Sequence, residues 1–431
     1  MKRVLILLAF LPVFGMSQGG VHFEEGLTWQ QVKDKAKAEH KYVFVDCFAT
    51  WCGPCKQMDK NVYPMDSVGD VVNSNFVSVK VQCDTSKDDN ESAKAWYADA
   101  HEIVSEYKIT AYPTFLFFSP EGKIVHQGLG FQKPEAFAKL ANEALDPQKQ
   151  YYTLVENYQQ GKRDFAVMPT LSAAAQQFKD TSLSRVIAED YIYNYLNRLP
   201  EASFCTRDNF VFIGTHVTTV SSKARIFDWC FRRPAEVDTI LHDKGFSDRL
   251  VNFVVYKEEI APSMSAAKIS GRTPNWEAIG SAIRKKFGAA YVENNILNAK
   301  IGWYRSVKDW KNYTKYLVAK MDKDDVQKNV PAGFWGFVGL NASAWDVFEH
   351  SDNKMELEKA LTWSNIVITK IEPKSGPNYG TFMDTKANLL YKLGKKEEAL
   401  ELEAKASALT PNDKQVQEAY KKMQEGKPTW E

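Results

Sequence analysis

The sequence predicts an α/β domain followed by a larger all-α domain. Up to about residue 145, near-continuous apolar strands alternate with helical patterns. The segment Asp146–Gln150 is polar and contains a proline, and beyond it apolar residues recur at the three-to-four spacing of helices. We therefore expect three segments: residues 1–17, residues 18–147 as the α/β domain and residues 148–431 as the all-α domain.

The composition is that of an ordinary globular protein and excludes several classes. Hydrophobic residues make up 44% of the chain and charged residues 25%, which is enough apolar material for a core. The 55 basic and 54 acidic residues nearly cancel, which argues against a nucleic-acid partner held through many phosphate contacts. Six cysteines in 431 residues are too few for a disulfide-built scaffold. Composition alone does not identify the function, which must be inferred from sequence motifs.

The first 17 residues have the layout of a secretory signal peptide. Lys2 and Arg3 precede the apolar run Val4–Gly15, and Gly15-Met16-Ser17 fits a cleavage site between small residues. The run is shorter than the about 20 residues that span a bilayer, although an uncleaved anchor is the alternative. We expect an exported protein, periplasmic or secreted, with no stable membrane span in the mature chain.

The first strand leads directly into a cysteine motif. Lys41–Phe48 is almost entirely apolar and rich in β-branched and aromatic residues, as in a strand covered on both faces. A helix is predicted before it over Trp29–His40. After it come Ala-Thr-Trp-Cys-Gly-Pro-Cys-Lys at residues 49–56, and a helix from Cys52 to about Tyr63 that ends before Pro64.

Cys52 and Cys55 have the spacing of a dithiol redox site. Cys52 falls at the first turn of the helix, where free N–H groups and the helix dipole favour a thiolate. The pKa of such a thiol can fall from about 8.5 to about 7. The Cys52 thiolate would attack a substrate disulfide, and Cys55, one turn later, would resolve the mixed disulfide. Gly53 leaves access to Cys52, and Pro54 stiffens the start of the helix.

Metal and haem binding are the alternatives for a Cys-x-x-Cys pair. A zinc site needs two more ligands, and the sequence has no second such pair and no paired histidine spacing. Attachment of a c-type haem needs histidine after the second cysteine, where Lys56 stands. We therefore expect neither a metal nor another cofactor.

Residues 45–56, with Val45-Asp46, Ala49 and Trp-Cys-Gly-Pro-Cys-Lys, resemble the active-site segment of thioredoxin. The surrounding pattern is closest to thioredoxin-like domains of exported thiol-disulfide reductases, including the C-terminal domain of the membrane electron transporter that feeds them. The resemblance covers about His22–Leu145. It implies a central mixed sheet flanked by helices and a redox disulfide between Cys52 and Cys55.

The same resemblance implies roles for residues outside the motif. Pro113 matches the family's cis-proline, Tyr112 the preceding residue that hydrogen-bonds substrate peptide through its backbone, and Gly130 a groove-lining glycine. Asp46 matches the proton acceptor for the resolving thiol, and burial should raise its pKa; a structural carboxylate is the alternative. Lys80 matches the flanking lysine, or is an ordinary outward strand residue. The expected substrate-binding residues are Trp51, Gly53, Pro54, Tyr112, Pro113 and Gly130, with Lys56 and Lys80 as auxiliary residues.

The sequence also departs from a minimal thioredoxin. Asp84–Pro113 is a long connection in which Glu91–Tyr107 predicts one extended helix. This insertion either reshapes the substrate groove or decorates an edge. Cys47 and Cys83 lie on adjacent predicted strands, and we interpret them as small buried hydrophobic residues rather than a second redox pair.

Residues 340–424 of the all-α domain resemble degenerate tetratricopeptide hairpins. The supporting positions are Ala387, Gly394, Ala399, Ala406 and Pro411, where small residues let two helices pack closely and glycine turns the chain. Such hairpins present a concave binding face or are merely structural. Spacing alone leaves open whether Cys205 and Cys230 are bridged or are two thiols.

The sequence thus indicates an exported thiol-disulfide oxidoreductase that reduces or isomerises protein disulfides. The Gly-Pro dipeptide resembles the reducing member of the superfamily, whose potential is about −270 mV against about −120 mV for the periplasmic oxidant. Its expected partners are disulfide-containing exported proteins and a membrane thiol electron donor. The alternatives are a helical peptide- or protein-binding module with the thioredoxin-like domain as docking scaffold, and a redox chaperone.

Overall fold

The computed structural model describes residues 19–430, so the predicted signal peptide lies outside the described residues. The chain divides into two compact units, the first ending at Val220 and the second beginning at Ser221. Each unit is described by itself. No helix within residues 19–430 is both long enough and apolar enough to cross a membrane.

A mixed four-stranded sheet forms the centre of the first unit, as the sequence predicts. Its strands are β1 (Tyr42–Phe48), β2 (Phe76–Gln82), β3 (Thr114–Phe118) and β4 (Ile124–Leu129). They lie in the order β2-β1-β3-β4; β1 and β2 are parallel, whereas β3 is antiparallel to both β1 and β4. β1 is therefore a central strand, which explains its almost unbroken apolar sequence.

Helices cover both faces of this sheet. The helices of the first unit are α1 (Trp29–Glu39), α2 (Gly53–Asn61), α3 (Asp66–Asn75), α4 (Glu91–Ala95), α5 (Tyr97–Glu106), α6 (Pro134–Ala144), α7 (Tyr151–Gln159), α8 (Met168–Gln177), α9 (Thr181–Asp190), α10 (Glu201–Phe204) and α11 (Arg207–Thr215). One apolar core includes Val45 and Ile103, and the other, on the opposite face, includes Phe44 and Phe137. The prediction of one helix over Glu91–Tyr107 is wrong, because the chain forms two helices that meet at Trp96.

The edge strand β4 is covered by α7. The Tyr151 backbone N–H donates to Nδ1 of His126 at 3.0 Å, and the Tyr152 hydroxyl hydrogen-bonds Oε1 of Gln127 at 3.0 Å. His126 is buried, and its ring lies against Phe117. These contacts hold α7 against the sheet within the first unit.

The second unit is all-helical. Its helices are α12 (Arg225–Arg232), α13 (Pro234–Leu241), α14 (Phe246–Val255), α15 (Ala261–Ser270), α16 (Trp276–Phe287), α17 (Val292–Ser306), α18 (Trp310–Lys323), α19 (Gly333–His350), α20 (Lys354–Lys370), α21 (Gly376–Lys392), α22 (Lys396–Leu409) and α23 (Lys414–Gln424). Ala387, Ala399 and Ala406 are fully buried, and Gly394 has a positive φ in the turn between α21 and α22. Cys205 of the first unit and Cys230 of the second are both thiols.

Candidate active site

Cys52 and Cys55 form a disulfide at the start of α2. Cys52 is the residue that caps α2, and its Sγ accepts a hydrogen bond from the Cys55 N–H at 3.1 Å. The sulfur therefore faces the free N–H groups of the first helical turn, which stabilise negative charge. In this oxidised state Cys52 is 2% exposed and Cys55 is 3% exposed, while the neighbouring residues Gly53 and Pro54 are exposed.

The loop before Cys52 is held by a carboxylate that follows β2. The Thr50 N–H and hydroxyl donate to the two oxygens of Asp84, at 2.9 and 2.5 Å. The Cys52 N–H donates to the Ala49 carbonyl at 3.0 Å. Asp84 therefore orients the turn that carries the cysteine. The sequence analysis assigned Asp84 no role, although a polar residue at the end of a strand parallel to β1 was the available signal.

The cis-proline segment lies beside the disulfide. The Tyr112–Pro113 peptide bond is cis, as expected from the resemblance, and Tyr112 packs in one cluster with Cys52 and Cys55. The Pro113 carbonyl accepts a hydrogen bond from the Gly130 N–H at 2.8 Å. The structure thus brings these sequence-distant residues to the edge of the cysteine pair.

Trp51 provides an exposed aromatic surface at the same place. Its side chain is 71% exposed, and its ring meets that of Tyr112 edge-on at 5.9 Å between centroids. Lys56 is exposed on the first turn of α2.

Asp46 is buried in the middle of β1. It is 1% exposed, and neither carboxyl oxygen has a hydrogen-bond partner of normal geometry among the described residues. Burial raises the pKa of Asp46 from 3.8 to about 7, against the opposing influences of the Lys80 charge and the Tyr63 hydroxyl. A carboxyl that titrates near neutral pH is suited to accepting and returning a proton.

Lys80 is partly buried. It is the register partner of Asp46 across β1 and β2, but its ammonium forms an ion pair with Asp59. The Nζ also lies 4.9 Å from the centre of the Phe48 ring. Asp59 and the buried Tyr63 both influence the pKa of Asp46, and the sequence analysis assigned neither of them a role.

Cys47 and Cys83 lie together as thiols. The Cys47 thiol is fully buried, and contact with Cys83 together with burial raises its pKa well above the ordinary value. Such a thiol stays protonated and nonreactive at neutral pH. This agrees with the interpretation of Cys47 as a small buried hydrophobic residue, whereas Cys83 is only half-buried.

The chain has relatives of known family over its first third. A family model described as a thioredoxin-like domain matches residues 29–145. Thioredoxin-2 of Pyricularia oryzae is 33% identical over 112 residues, which are 26% of this chain and 54% of that protein. The thioredoxin of Mycoplasmoides gallisepticum is 33% identical over 98 residues, which are 23% of this chain and 79% of that protein. The chain belongs to the thioredoxin-like family. A further relative of this thioredoxin-like region is the thiol:disulfide interchange protein DsbD of Pseudoalteromonas atlantica, 30% identical over 119 residues, which are 27% of this chain and 18% of that protein.

Proposed function

We propose that this chain is an exported thiol-disulfide oxidoreductase that reduces or isomerises protein disulfides. The observation that carries the proposal is the Cys52–Cys55 disulfide at the start of a helix, next to the Tyr112–Pro113 segment. Membership of the thioredoxin-like family supports it, because relatives include thioredoxins and a thiol:disulfide interchange protein. Export is inferred from the signal-peptide pattern of residues 1–17 alone.

The reaction begins with the reduced dithiol. The Cys52 thiolate attacks one sulfur of a client disulfide, so that a Cys52–client bond forms and the first client sulfur leaves as a thiolate. The Cys55 thiol then passes its proton to Asp46 and attacks the Cys52 sulfur. The second client sulfur leaves and is protonated, while Cys52 and Cys55 become the observed disulfide. Two electrons have passed to the client, and we propose that a membrane thiol donor returns them.

Client recognition is assigned to the surface around the cysteines. Its proposed members are Trp51, Gly53, Pro54, Tyr112, Pro113 and Gly130, with Lys56 and Lys80 as auxiliary residues. The edge-on contact of Trp51 with Tyr112 makes a continuous aromatic surface beside Cys52. We propose that a client approaches the reduced Cys52 along this surface.

Insulin reduction with dithiothreitol tests the proposal. We expect the wild-type chain to accelerate insulin precipitation and Cys52→Ser to reduce the rate to that of dithiothreitol alone. Cys205→Ser, outside the site, is the control and should match wild type. Equal rates for wild type and Cys52→Ser would instead favour the helical part as a binding module with the thioredoxin-like domain as its scaffold.

Two further measurements determine the direction of electron transfer and the identity of the client proteins. A redox titration of the Cys52–Cys55 couple should give a potential near the about −270 mV of reducing thioredoxins, and a value near about −120 mV would indicate an oxidant. The variant Cys55→Ser cannot resolve the mixed disulfide. Proteins that stay linked to Cys52 in this variant, and are absent with Cys52→Ser, are the clients.

A further inference from the structure

A groove lies between α19, α21 and the start of α23 in the second unit. Its volume is about 400 Å³, within the about 300–1,000 Å³ typical of ligand sites. Phe334, Trp345 and Phe382 contribute aromatic walls. These residues are far from the thioredoxin-like region in sequence, and the proposed redox reaction does not use them.

Three carboxyl groups line the groove, each from a different segment. Asp346 belongs to α19, Asp384 to α21, and Asp413 immediately precedes α23. Within the described part of the chain, no lysine or arginine lines the groove. Asp346 also belongs to a cluster with Glu349 and His350 whose ligand atoms lie within 4.8 Å of one another, but Asp384 and Asp413 are not part of that cluster. The groove is therefore an acidic, aromatic surface.

Contacts among the described residues use only one oxygen of the Asp346 carboxylate and one oxygen of the Asp413 carboxylate. The Tyr313 hydroxyl donates to one oxygen of Asp346 at 2.5 Å, and the exposed guanidinium of Arg305 is 4.0 Å from the same oxygen. The Gln415 N–H donates to one oxygen of Asp413 at 3.0 Å. Each of these carboxylates keeps a second oxygen that can accept from a ligand.

The wall of the groove also includes a buried acceptor without a partner. Asn341 is 8% exposed; its amide donates to the Thr385 hydroxyl at 3.0 Å, but its carbonyl oxygen has no hydrogen-bond partner. Asp384 is 4% exposed, accepts from Asn388 at 2.8 Å and contacts the buried carboxyl of Glu403. Unpaired buried acceptors are costly, and a ligand that donates hydrogen bonds here offsets that cost.

We propose that this groove binds an extended peptide segment through a lysine or arginine side chain. The cationic head supplies the donor that the Asn341 carbonyl lacks and is attracted by the carboxyl groups of the groove, and the aromatic walls of Trp345 and Phe382 contact its aliphatic stem and the neighbouring peptide residue. An acidic segment is rejected, because the groove offers it carboxylates and no cation. The binding requires neither cysteine of the redox pair.

Fluorescence anisotropy with the full chain tests this inference. The probes are three fluorescein-labelled octapeptides of one alanine- and leucine-containing sequence, with two central positions occupied by arginine, by the neutral isostere citrulline or by glutamate. We expect the arginine peptide to bind at least tenfold more tightly than the citrulline peptide, and the glutamate peptide to show no binding. Equal affinities, a preference for glutamate, or no binding of any peptide would overturn the proposal.

Variants locate the site. Asp384→Asn should remove most of the preference for arginine over citrulline, and Trp345→Leu should weaken both of these peptides. Glu418→Gln, an exposed change on α23 outside the groove, is the matched control and should behave as wild type. If Asp384→Asn does not fold, the affinities of the wild-type chain for the three peptides still test the proposal. Cys52→Ser should bind as wild type does, so failure of the redox proposal and failure of this one are separate results.

Discussion

Asp46 lies directly opposite Lys80 in the parallel pair of β1 and β2, yet the lysine forms its ion pair with Asp59. The carboxyl of Asp46 is thus left buried, and neither of its oxygens has a hydrogen-bond partner of normal geometry among the described residues. This arrangement combines a high cost of ionisation with an attractive charge nearby, which places the pKa of Asp46 at about 7.

The first prediction concerns stability. The pKa of Asp46 rises from 3.8 in the unfolded chain to about 7 in the folded protein, so its contribution to stability is complete below about pH 4 and is lost as the pH rises through 7. Asp46→Asn should therefore be more stable than wild type at pH 8, by up to about 4 kcal/mol, and equal to it near pH 4. Urea unfolding between pH 4 and 8 measures this. Asp70→Asn, at an exposed position on α3, is the control, and a pH-independent difference would contradict the explanation.

The same substitution tests the proposed proton acceptor. In the insulin assay, Asp46→Asn should lower the rate about 10²-fold or more at pH 7, because a positioned general base contributes about 10²–10⁴-fold. The pH–rate profile of wild type should show a step near pH 7 that the variant lacks. Loss of rate with an unchanged profile would assign Asp46 a structural role.

Trp51 should matter for clients more than for folding. Because its side chain is mostly exposed, Trp51→Ala should change the free energy of unfolding by less than about 1 kcal/mol. The KM for insulin should rise several-fold, whereas reduction of oxidised glutathione, which is too small to cover this surface, should be unchanged. Trp335→Ala, equally exposed but in the second unit, is the matched control. Equal effects on both substrates would remove Trp51 from the docking surface.

His126 predicts acid sensitivity of the contact between β4 and α7. Burial lowers its pKa from 6.5 to about 4, and its neutral Nδ1 accepts the Tyr151 N–H. Since the folded state disfavours the charged form, stability is complete above pH 6.5 and is lost as the pH falls towards 4, by up to about 3 kcal/mol. His126→Gln cannot titrate, so its unfolding free energy should vary less between pH 7 and 4.5. His101→Gln, at an exposed position, should retain the wild-type slope.

The buried pair of Asp384 and Glu403 predicts the opposite pH dependence in the second unit. Burial raises the pKa of both groups; contact with Asp384 raises the pKa of Glu403 further, whereas the hydrogen bond with Glu403 opposes the rise for Asp384. Their contribution to stability is therefore present at low pH and is lost as the pH rises. Glu403→Gln removes one ionisable group at nearly constant volume and should raise the melting temperature at pH 9 more than at pH 5. Glu398→Gln, on the exposed side of α22, is the control and should leave the melting temperature unchanged at both pH values. Circular dichroism melts measure the shifts.

Local patterns were sufficient to predict several parts of this protein. The apolar run of β1, the Trp-Cys-Gly-Pro-Cys segment and the start of α2 are contiguous, so that sequence order alone brings Cys52 and Cys55 together. The spacing of small residues likewise predicted the close packing of two consecutive helices. Ala387 and Ala399 are buried on either side of the turn at Gly394.

The sequence by itself therefore determined the redox pair and the helical character of the second half, since both follow from patterns of neighbouring residues, whereas the mixed sheet was implied by the resemblance to thioredoxin. Only the tertiary structure decided that Asp84 holds Thr50, that Lys80 pairs with Asp59 rather than Asp46, and that α19, α21 and α23 enclose an acidic groove. These features depend on the distance and burial of side chains that are far apart in the chain. Hydrophobic periodicity carries no information about such partners, because it reports which face is buried and not what the face meets.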